Sequence, residues 1–288
     1  MTPLRISATT FVPASPKRPH WVLLGPRAGL RGVQRHTILG TPLVAFEDSR
    51  GELFVAEDAC PHRGASLAGG EVRGSCLVCP FHSTEVGVMT HPARFFDYHH
   101  ASRDGLVWVD LAKRVFAQHH PPPRTPSPGT DGVTDYVAVV PVHPMAVVES
   151  LLTVRSSSAR VEGGPCGWAS WVEGCVHVDA RYEVPYTASL QYTTGSWVWL
   201  TATPVADGAT RVHVRVSRVD EEDVPDVPDV PDVPDVRLWS DLSSAGPLRS
   251  LAYTWTGALR PGEDALVAEY RKAVRDAFPD LAAFWGLL

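Results

Sequence analysis

The sequence has little of three features that would each assign it to a broad class. It contains five cysteines in 288 residues, too few for a disulfide scaffold. No run approaches the roughly 18 apolar residues of a membrane-spanning helix, so no membrane span is expected. There are 26 basic against 32 acidic residues, and this net charge of −6 argues against a nucleic-acid-binding surface. The remaining interpretation is a globular chain, 44% hydrophobic and long enough for two domains.

Two short segments rich in metal-ligand residue types stand out from this background. They read Cys60-Pro61-His62 and Cys79-Pro80-Phe81-His82, with sixteen residues between His62 and Cys79. Two thiolates and two imidazoles in this order form the ligand set of a Rieske [2Fe-2S] centre. Cys60 and Cys79 are predicted to bind one iron, and His62 and His82 the other. The predicted chemistry is one-electron transfer.

Zinc is the alternative occupant of these four residues, because Cys₂His₂ is also a zinc ligand set. Zinc fingers usually pair two cysteines and then two histidines, whereas here each segment offers one cysteine and one histidine. Glycines at 64, 69, 70 and 74 let the backbone wrap closely around a compact group. The pattern therefore favours an iron–sulfur cluster over zinc.

The segment from Pro42 to Leu111 resembles the Rieske domain of Rieske-type non-haem iron oxygenases. It contains LVAFEDSRGELFVAEDACPHRGASLAGGEVRGSCLVCPFHS and then GLVWVDL. Rieske proteins of respiratory complexes carry one more cysteine in each loop, which this chain lacks, so the oxygenase type is favoured. The family usually has a glycine and an aromatic residue after the last ligand, and this chain has Ser83 and Thr84.

The predicted fold class is α+β, with a mostly antiparallel β Rieske domain followed by a helix-grip domain, an antiparallel sheet around a C-terminal helix. Composition predicts a flexible tail at 1–20, the Rieske domain at 21–118 and a proline-rich linker at 119–133. The second domain is predicted at 134–288. Its acidic Val-Pro-Asp repeat at 223–236 suits an extended surface loop.

Hydrophobic periodicity supports these assignments at three places. The stretches TPLVAFE and ELFVAE flank a four-residue turn, 48–51, and predict a β-hairpin. In the second domain, valines at 212, 214 and 216 alternate with polar residues, which predicts a half-buried strand. Apolar residues then recur every fourth position near the C-terminus and predict an amphipathic helix, with Leu266, Tyr270, Val274 and Phe278 on its buried face.

The resemblance implies a mononuclear Fe(II) site in the second domain, held by two histidines and a carboxylate. Family members supply the histidines from a D-x-x-H-x-x-x-x-H segment. The run VVESLLT at 147–153 is similar to their V-E-N-L-L-D, and the two ligand positions then fall on Ser156 and Val161. Neither residue type binds iron in such a site, so the motif is degenerate in this chain.

Two interpretations of the second domain stay open: the mononuclear iron site is lost, or it is rebuilt from other residues. His177 and Asp179 are two apart on a predicted strand and therefore face the same side. Asp264 lies in a late acidic segment that resembles the family's source of its carboxylate. The alternative iron ligand set is His177, Asp179 and Asp264.

Three functions follow as hypotheses. The first is an oxidoreductase like the terminal component of a Rieske oxygenase, with a ferredoxin or flavin reductase as electron donor, a small hydrophobic substrate and a homotrimeric assembly. The second is a non-catalytic electron-transfer or redox-responsive protein. The third is a hydrophobic-ligand binder with a structural cluster and a pocket lined by Trp168, Trp171, Tyr186, Trp197 and Trp199.

The compartment is predicted from the chemistry of the cysteines. Thiolate ligands require reduced cysteines, which predicts a cytoplasmic location. An organelle stroma or matrix is the alternative, because the first eighteen residues carry Arg, Ser and Thr and no acidic residue.

Overall fold

The computed structural model divides into two units that part between Arg124 and Thr125, inside the predicted linker. The predicted repeat at 223–236 and nearly all of the predicted tail lie outside the described residues. The structure describes residues 20–87, 97–112, 121–126, 133–152, 159–173, 175–193, 195–205, 209–217 and 265–284.

Three small antiparallel sheets make up the described part of the N-terminal unit. Their strand orders are β1-β9-β8, β2-β3-β4 and β5-β6-β7. The strands are β1 (Trp21–Pro26), β2 (Gln34–Ile38), β3 (Thr41–Glu47), β4 (Leu53–Glu57), β5 (Glu71–Arg73), β6 (Cys76–Val78), β7 (Glu85–Val86), β8 (His100–Arg103) and β9 (Leu106–Asp110).

The predicted hairpin is confirmed, since β3 and β4 pair antiparallel from Leu43–Glu57 to Glu47–Leu53. The buried Asp48 carboxylate closes its turn by accepting hydrogen bonds from the amides of Arg50 (2.8 Å) and Glu52 (2.9 Å). An aspartate at the start of a turn commonly satisfies the turn's own amides in this way.

The core of this unit includes both predicted cysteine ligands. Buried side chains from β3, β4, β6 and β7 form one cluster with residues of the two intervening loops. Its members are Val44, Phe46, Phe54, Ala56, Cys60, Leu67, Leu77, Cys79 and Val86. The loops that contain the cysteines are therefore anchored in a packed interior.

A single antiparallel sheet dominates the described part of the second unit, with strand order β10-β16-β15-β14-β13-β12-β11. Its strands are β10 (Val133–Val140), β11 (Arg160–Glu162), β12 (Trp168–Glu173), β13 (Val176–Glu183), β14 (Thr187–Tyr192), β15 (Trp197–Pro204) and β16 (Thr210–Ser217). The helices are α1 (Pro144–Leu152), α2 (Ala265–Ala277) and α3 (Pro279–Phe284).

The sheet buries one face of alternating apolar residues, as the pattern in β16 predicts. Val212, Val214 and Val216 are buried. His213 on the other face is buried too, only 2% exposed, so the predicted half-buried strand is covered on both sides at its middle. Sequence alternation alone places this histidine with the polar residues and does not reveal that burial.

The C-terminal amphipathic helix is confirmed as α2, with Leu266, Tyr270 and Val274 fully buried. Phe278 is buried as well but lies just beyond the last helical residue. The Tyr270 ring contacts the ring of Tyr182 on β13, with centroids 5.4 Å apart, so α2 lies over the sheet face that carries Tyr182. No helix among the described residues is long and apolar enough to span a bilayer.

Candidate metal centre

The two cysteine loops have the same backbone turn. In the first loop the Gly64 amide donates to the Cys60 carbonyl (2.7 Å), and the Cys60 amide donates to the Ala65 carbonyl (2.7 Å). In the second loop the Ser83 amide donates to the Cys79 carbonyl (3.0 Å), and the Cys79 amide donates to the carbonyl of Thr84 (2.9 Å). In each loop, the three residues between these two turn positions, 61–63 and 80–82, point away from the core.

The two loops approach each other closely. A β-carbon placed on Gly70, at the end of the first loop, would lie 2.3 Å from the carbonyl oxygen of Val78, just before Cys79. Only glycine tolerates such an approach of backbone to backbone. This glycine lets the first loop close onto the second and brings the cysteines together.

The cysteine thiols lie on the inner side of the site. Cys60 and Cys79 are 3% and 2% exposed. Burial alone would raise the pKa of the Cys79 thiol, but hydrogen bonds from the amides of Phe81 and His82 and from Cys60 lower it below its ordinary value. A lowered pKa favours the thiolate, the form that binds metal.

The imidazoles lie on the outer side. His62 and His82 are both exposed, and their rings meet edge to face with centroids 5.1 Å apart. Phe81 beside them is 68% exposed, the highest exposure among the large apolar side chains in the described part of the chain. The site therefore has two sulfurs toward the core and two ring nitrogens toward the surface.

This separation of donors fits a Rieske cluster. A [2Fe-2S] centre of this kind needs two thiolates on one iron and two imidazoles on the other. The buried thiols and the adjacent surface imidazoles provide that division. Among the described residues, no three or more His, Cys, Asp and Glu side chains are grouped as they would be around a single ion such as zinc.

A buried carboxylate behind the first loop was not identified from the sequence. Asp58 Oδ1 accepts hydrogen bonds from the amides of Leu67 (2.6 Å) and Ala68 (3.0 Å), and its Oδ2 accepts one from the Ser66 hydroxyl (2.8 Å). Arg35 Nε lies 3.0 Å from Oδ2. Asp58 thus ties the start of the loop to its end. The signal available in the sequence is its place two residues before Cys60.

The proposed mononuclear iron ligands are only partly described. His177 is exposed, with Nε2 2.7 Å from the Ser170 hydroxyl, and Asp179 faces Ser170 on the neighbouring strand. Both alternate with Tyr182 along β13 and so lie on the sheet face opposite α2. Asp264 lies outside the described residues, so this ligand set stays a prediction.

Of the two positions that match the family's histidine ligands, the structure describes one. Ser156 lies outside the described residues, and Val161 is in β11, paired with Ala169.

The aromatic residues predicted to line a pocket do not share one surface of the sheet. Trp197 and Trp199 lie on one face, while Trp171, paired with Val178, lies on the other.

Another charged cluster in the second unit was missed in the sequence. Asp135 on β10 binds Arg215 through both carboxylate oxygens (2.8 and 3.0 Å) and lies 3.0 Å from His213 Nε2. Burial raises the pKa of Asp135, and the stronger opposing interactions with His213 and Arg215 bring it below its ordinary value. The cluster joins β10 to β16, in which Asp135 is paired directly with Arg215 and His213 with Val137.

Comparisons with known proteins identify a Rieske domain in the segment that contains this site. The family model of the Rieske [2Fe-2S] domain matches residues 20–91. The chain is 42% identical over 69 residues to the oxygenase component of 3-ketosteroid-9-alpha-monooxygenase from Mycolicibacterium smegmatis, covering 23% of this chain and 18% of that protein. It is 47% identical over 51 residues to cholesterol 7-desaturase of Xenopus laevis, covering 17% of this chain and 11% of that protein. These matches thus span less than a fifth of either relative.

Solved structures extend the likeness to nearly the whole chain. Dicamba monooxygenase bound to dicamba superposes with a TM-score of 0.66 at 18% identity, covering 96% of this chain and 100% of that one. Pseudomonas putida CBB5 NdmB gives a TM-score of 0.67 at 17% identity, covering 90% and 94%. At such identities the likeness concerns the fold, and the predicted α+β class is confirmed.

Proposed function

Because the chain carries a Rieske [2Fe-2S] domain within the fold of Rieske non-haem iron oxygenases, we propose that it is an oxidoreductase resembling their terminal component. Cys60 and Cys79 hold one iron of the cluster, and His62 and His82 hold the other. When bound, such a cluster supplies one-electron transfer. The observation that carries this proposal is the convergence of the two thiols and of the two imidazoles at one site.

The exposed side of the site is where electrons enter and leave. His62, His82 and Phe81 are all exposed, whereas both cysteines are buried. A protein donor therefore approaches the imidazole side, and its proposed identity is a ferredoxin or a flavin reductase. The apolar Phe81 ring provides contact area for a transient complex, since aromatic residues are enriched at protein interfaces.

The substrate is proposed only as a small hydrophobic molecule, and the assembly as a homotrimer. The sterol-related names of the relatives concern matches over 69 and 51 residues.

The family's histidine motif for the mononuclear iron is degenerate in the second domain. The two family ligand positions are Ser156 and Val161, and neither offers an imidazole. Among the described residues, no three His, Cys, Asp and Glu side chains are grouped for a single ion. The comparisons with Rieske oxygenases do not favour the alternative function, an electron-transfer or redox-responsive protein whose cluster is its single metal centre.

Metal analysis tests both candidates. Protein purified anaerobically and reduced is expected to show the rhombic EPR signal of a Rieske centre, with two irons and two labile sulfides per chain. A third iron per chain, removed by His177→Ala while the Rieske signal persists, would establish the mononuclear site. That result would support the first candidate function over the second. Colourless, zinc-loaded protein after expression with ample iron would contradict both candidates.

A matched pair of cysteine variants tests the ligand assignment. Cys79→Ala is expected to abolish the signal and the bound iron. Cys76→Ala is expected to retain both, because Cys76 lies three residues earlier in the same chain segment but outside the paired turns. Equal loss of iron in the two variants would contradict the assignment.

A further inference from the structure

We infer that the Asp58–Arg35 ion pair sets the reduction potential of the iron–sulfur centre through its two charges. This inference rests on the proposed ligation by Cys60, His62, Cys79 and His82. It assigns a role to two residues that bind no iron themselves and act on the cluster through their charges.

The position of Asp58 makes it a buried negative charge close to the cluster. Its side chain has no exposed surface, and Cys60 follows two residues later, a Cα separation of at most about 7 Å. Leu67, whose amide it binds, packs in the same core cluster as both cysteines. The carboxylate is therefore on the inner side of the site, away from water.

A charge placed there changes the free energy of reduction. Each electron added makes the centre more negative by one charge, so a nearby carboxylate disfavours the reduced state and lowers the potential. Net charge and hydrogen bonds around a cluster are known determinants of its potential. Because Asp58 is shielded from solvent, its effect is weakly screened.

Arg35 opposes this effect. Its Nε lies 3.0 Å from Asp58 Oδ2, but its side chain is 58% exposed. Removing the guanidinium leaves the carboxylate uncompensated, so the potential is expected to fall. Since Arg35 faces water, its contribution is smaller and decreases as ionic strength rises.

The same domain contains a matched pair at the other end of β4. The Asp48 side chain also has no exposed surface, and it lies 3.0 Å from the Nε of Arg50, which is 70% exposed. Asp48 precedes β4 and Asp58 follows it, and five strand residues extend about 17 Å. The Asp48–Arg50 pair is chemically equivalent but remote from the cysteine loops.

Four single variants of the full chain separate charge from structure: Asp58→Asn, Arg35→Gln, Asp48→Asn and Arg50→Gln. In Asp58→Asn the amide oxygen can still accept from Leu67 and Ala68, and the amide group can donate to the Ser66 hydroxyl. The potential of each is measured by protein-film voltammetry at low and high salt, alongside iron content and EPR line shape.

The expected result is opposite shifts at one pair and none at the other. Asp58→Asn raises the potential, Arg35→Gln lowers it by a smaller, salt-sensitive amount, and the Asp48 and Arg50 variants match the wild type. Shifts of the same sign in Asp58→Asn and Arg35→Gln, equal shifts at the Asp48–Arg50 pair, or no shift at all would overturn the inference.

Two further outcomes are also decisive. If Asp58→Asn loses its iron, Arg35→Gln decides alone: a lowered potential supports the inference, and an unchanged one overturns it. If the wild-type protein has no Rieske signal, the proposed function itself fails. The two failures are therefore distinguishable.

Discussion

Gly64 and Ser83 occupy equivalent positions in the two cysteine loops. Each donates its amide to the carbonyl of the cysteine four residues before it, and each has positive φ, +73° at Gly64 and +53° at Ser83. Glycine adopts this left-handed conformation without steric penalty, whereas a residue with a β-carbon does not. Ser83 therefore has the left-handed backbone conformation that Gly64 has at the equivalent position of the first loop.

Replacing Ser83 by glycine is expected to stabilise the protein by about 0.5–1 kcal/mol. The left-handed conformation costs a non-glycine residue about 1–2 kcal/mol, and the greater freedom of glycine in the unfolded chain offsets part of the gain. Urea denaturation measures the change. Gly64→Ser is the matched control and is expected to destabilise, because it introduces the same conformational cost in the first loop. A loss of stability in Ser83→Gly would contradict this prediction. It would show that contacts of the serine side chain add more to the free energy of unfolding than the backbone strain subtracts.

The candidate metal ligands can be proposed from the sequence because their spacing is local. Each cysteine and its histidine lie within four residues of chain, so one turn determines their relationship. The structure adds contacts between residues far apart in the chain, which the local spacing of the ligands does not reveal. Asp58 reaches the amides of Leu67 and Ala68 across nine and ten residues, and nothing in its residue type distinguishes it from a surface aspartate.

The second domain is predictable in outline for the same reason. Alternation reveals β16, and four-residue periodicity reveals α2, because both patterns follow from the geometry of a single element. The ion pair of Glu149 with Arg271 joins residues 122 apart in the chain. Such a pairing depends on how α1 and α2 pack and is therefore not visible in either segment alone.

Arg271→Met is expected to destabilise the protein by about 3 kcal/mol or more. Arg271 Nε and Nη2 each lie 2.7 Å from an oxygen of Glu149, and both side chains are largely buried. Removing one partner leaves an unpaired buried charge, whereas replacing both by apolar residues is often nearly neutral. Thermal or urea denaturation is therefore expected to show recovery in the Glu149→Leu/Arg271→Met double variant. Lys272→Met, one residue along and exposed, is the control and is expected to have little effect.

Asp110 predicts a specific pH dependence of stability. Burial raises the pKa of Asp110 from 3.8 to about 6, despite hydrogen bonds that its Oδ1 accepts from the amides of Ala112 and His20. The folded state therefore holds the proton more tightly than the unfolded state. The stability associated with this proton is present below pH 4 and is lost as pH rises through about 6.

Asp110→Asn mimics the protonated acid and removes this dependence. The variant is expected to match the wild type near pH 4 and to exceed its stability at pH 7, by at most about 3 kcal/mol, since one pKa unit corresponds to about 1.4 kcal/mol. Denaturation at a series of pH values measures the difference between the two proteins, so other titrating groups cancel. A difference that does not change with pH would contradict the raised pKa.

Phe81 offers a test of where the electron donor binds. The ring is 68% exposed beside His82, yet it neither ligates iron nor packs in the core, so Phe81→Ala is expected to leave iron content, EPR signal and potential unchanged. Stopped-flow reduction by a ferredoxin or flavin reductase is expected to slow several-fold, because the donor loses apolar contact area at the imidazole side. Reduction by dithionite, a small reagent that needs no protein contact, is expected to keep its rate. Val172→Ala, which truncates a similarly exposed side chain in the second domain, is the control and is expected to leave both rates unchanged. Equal rates for Phe81→Ala and wild type with the protein donor would place the docking surface elsewhere.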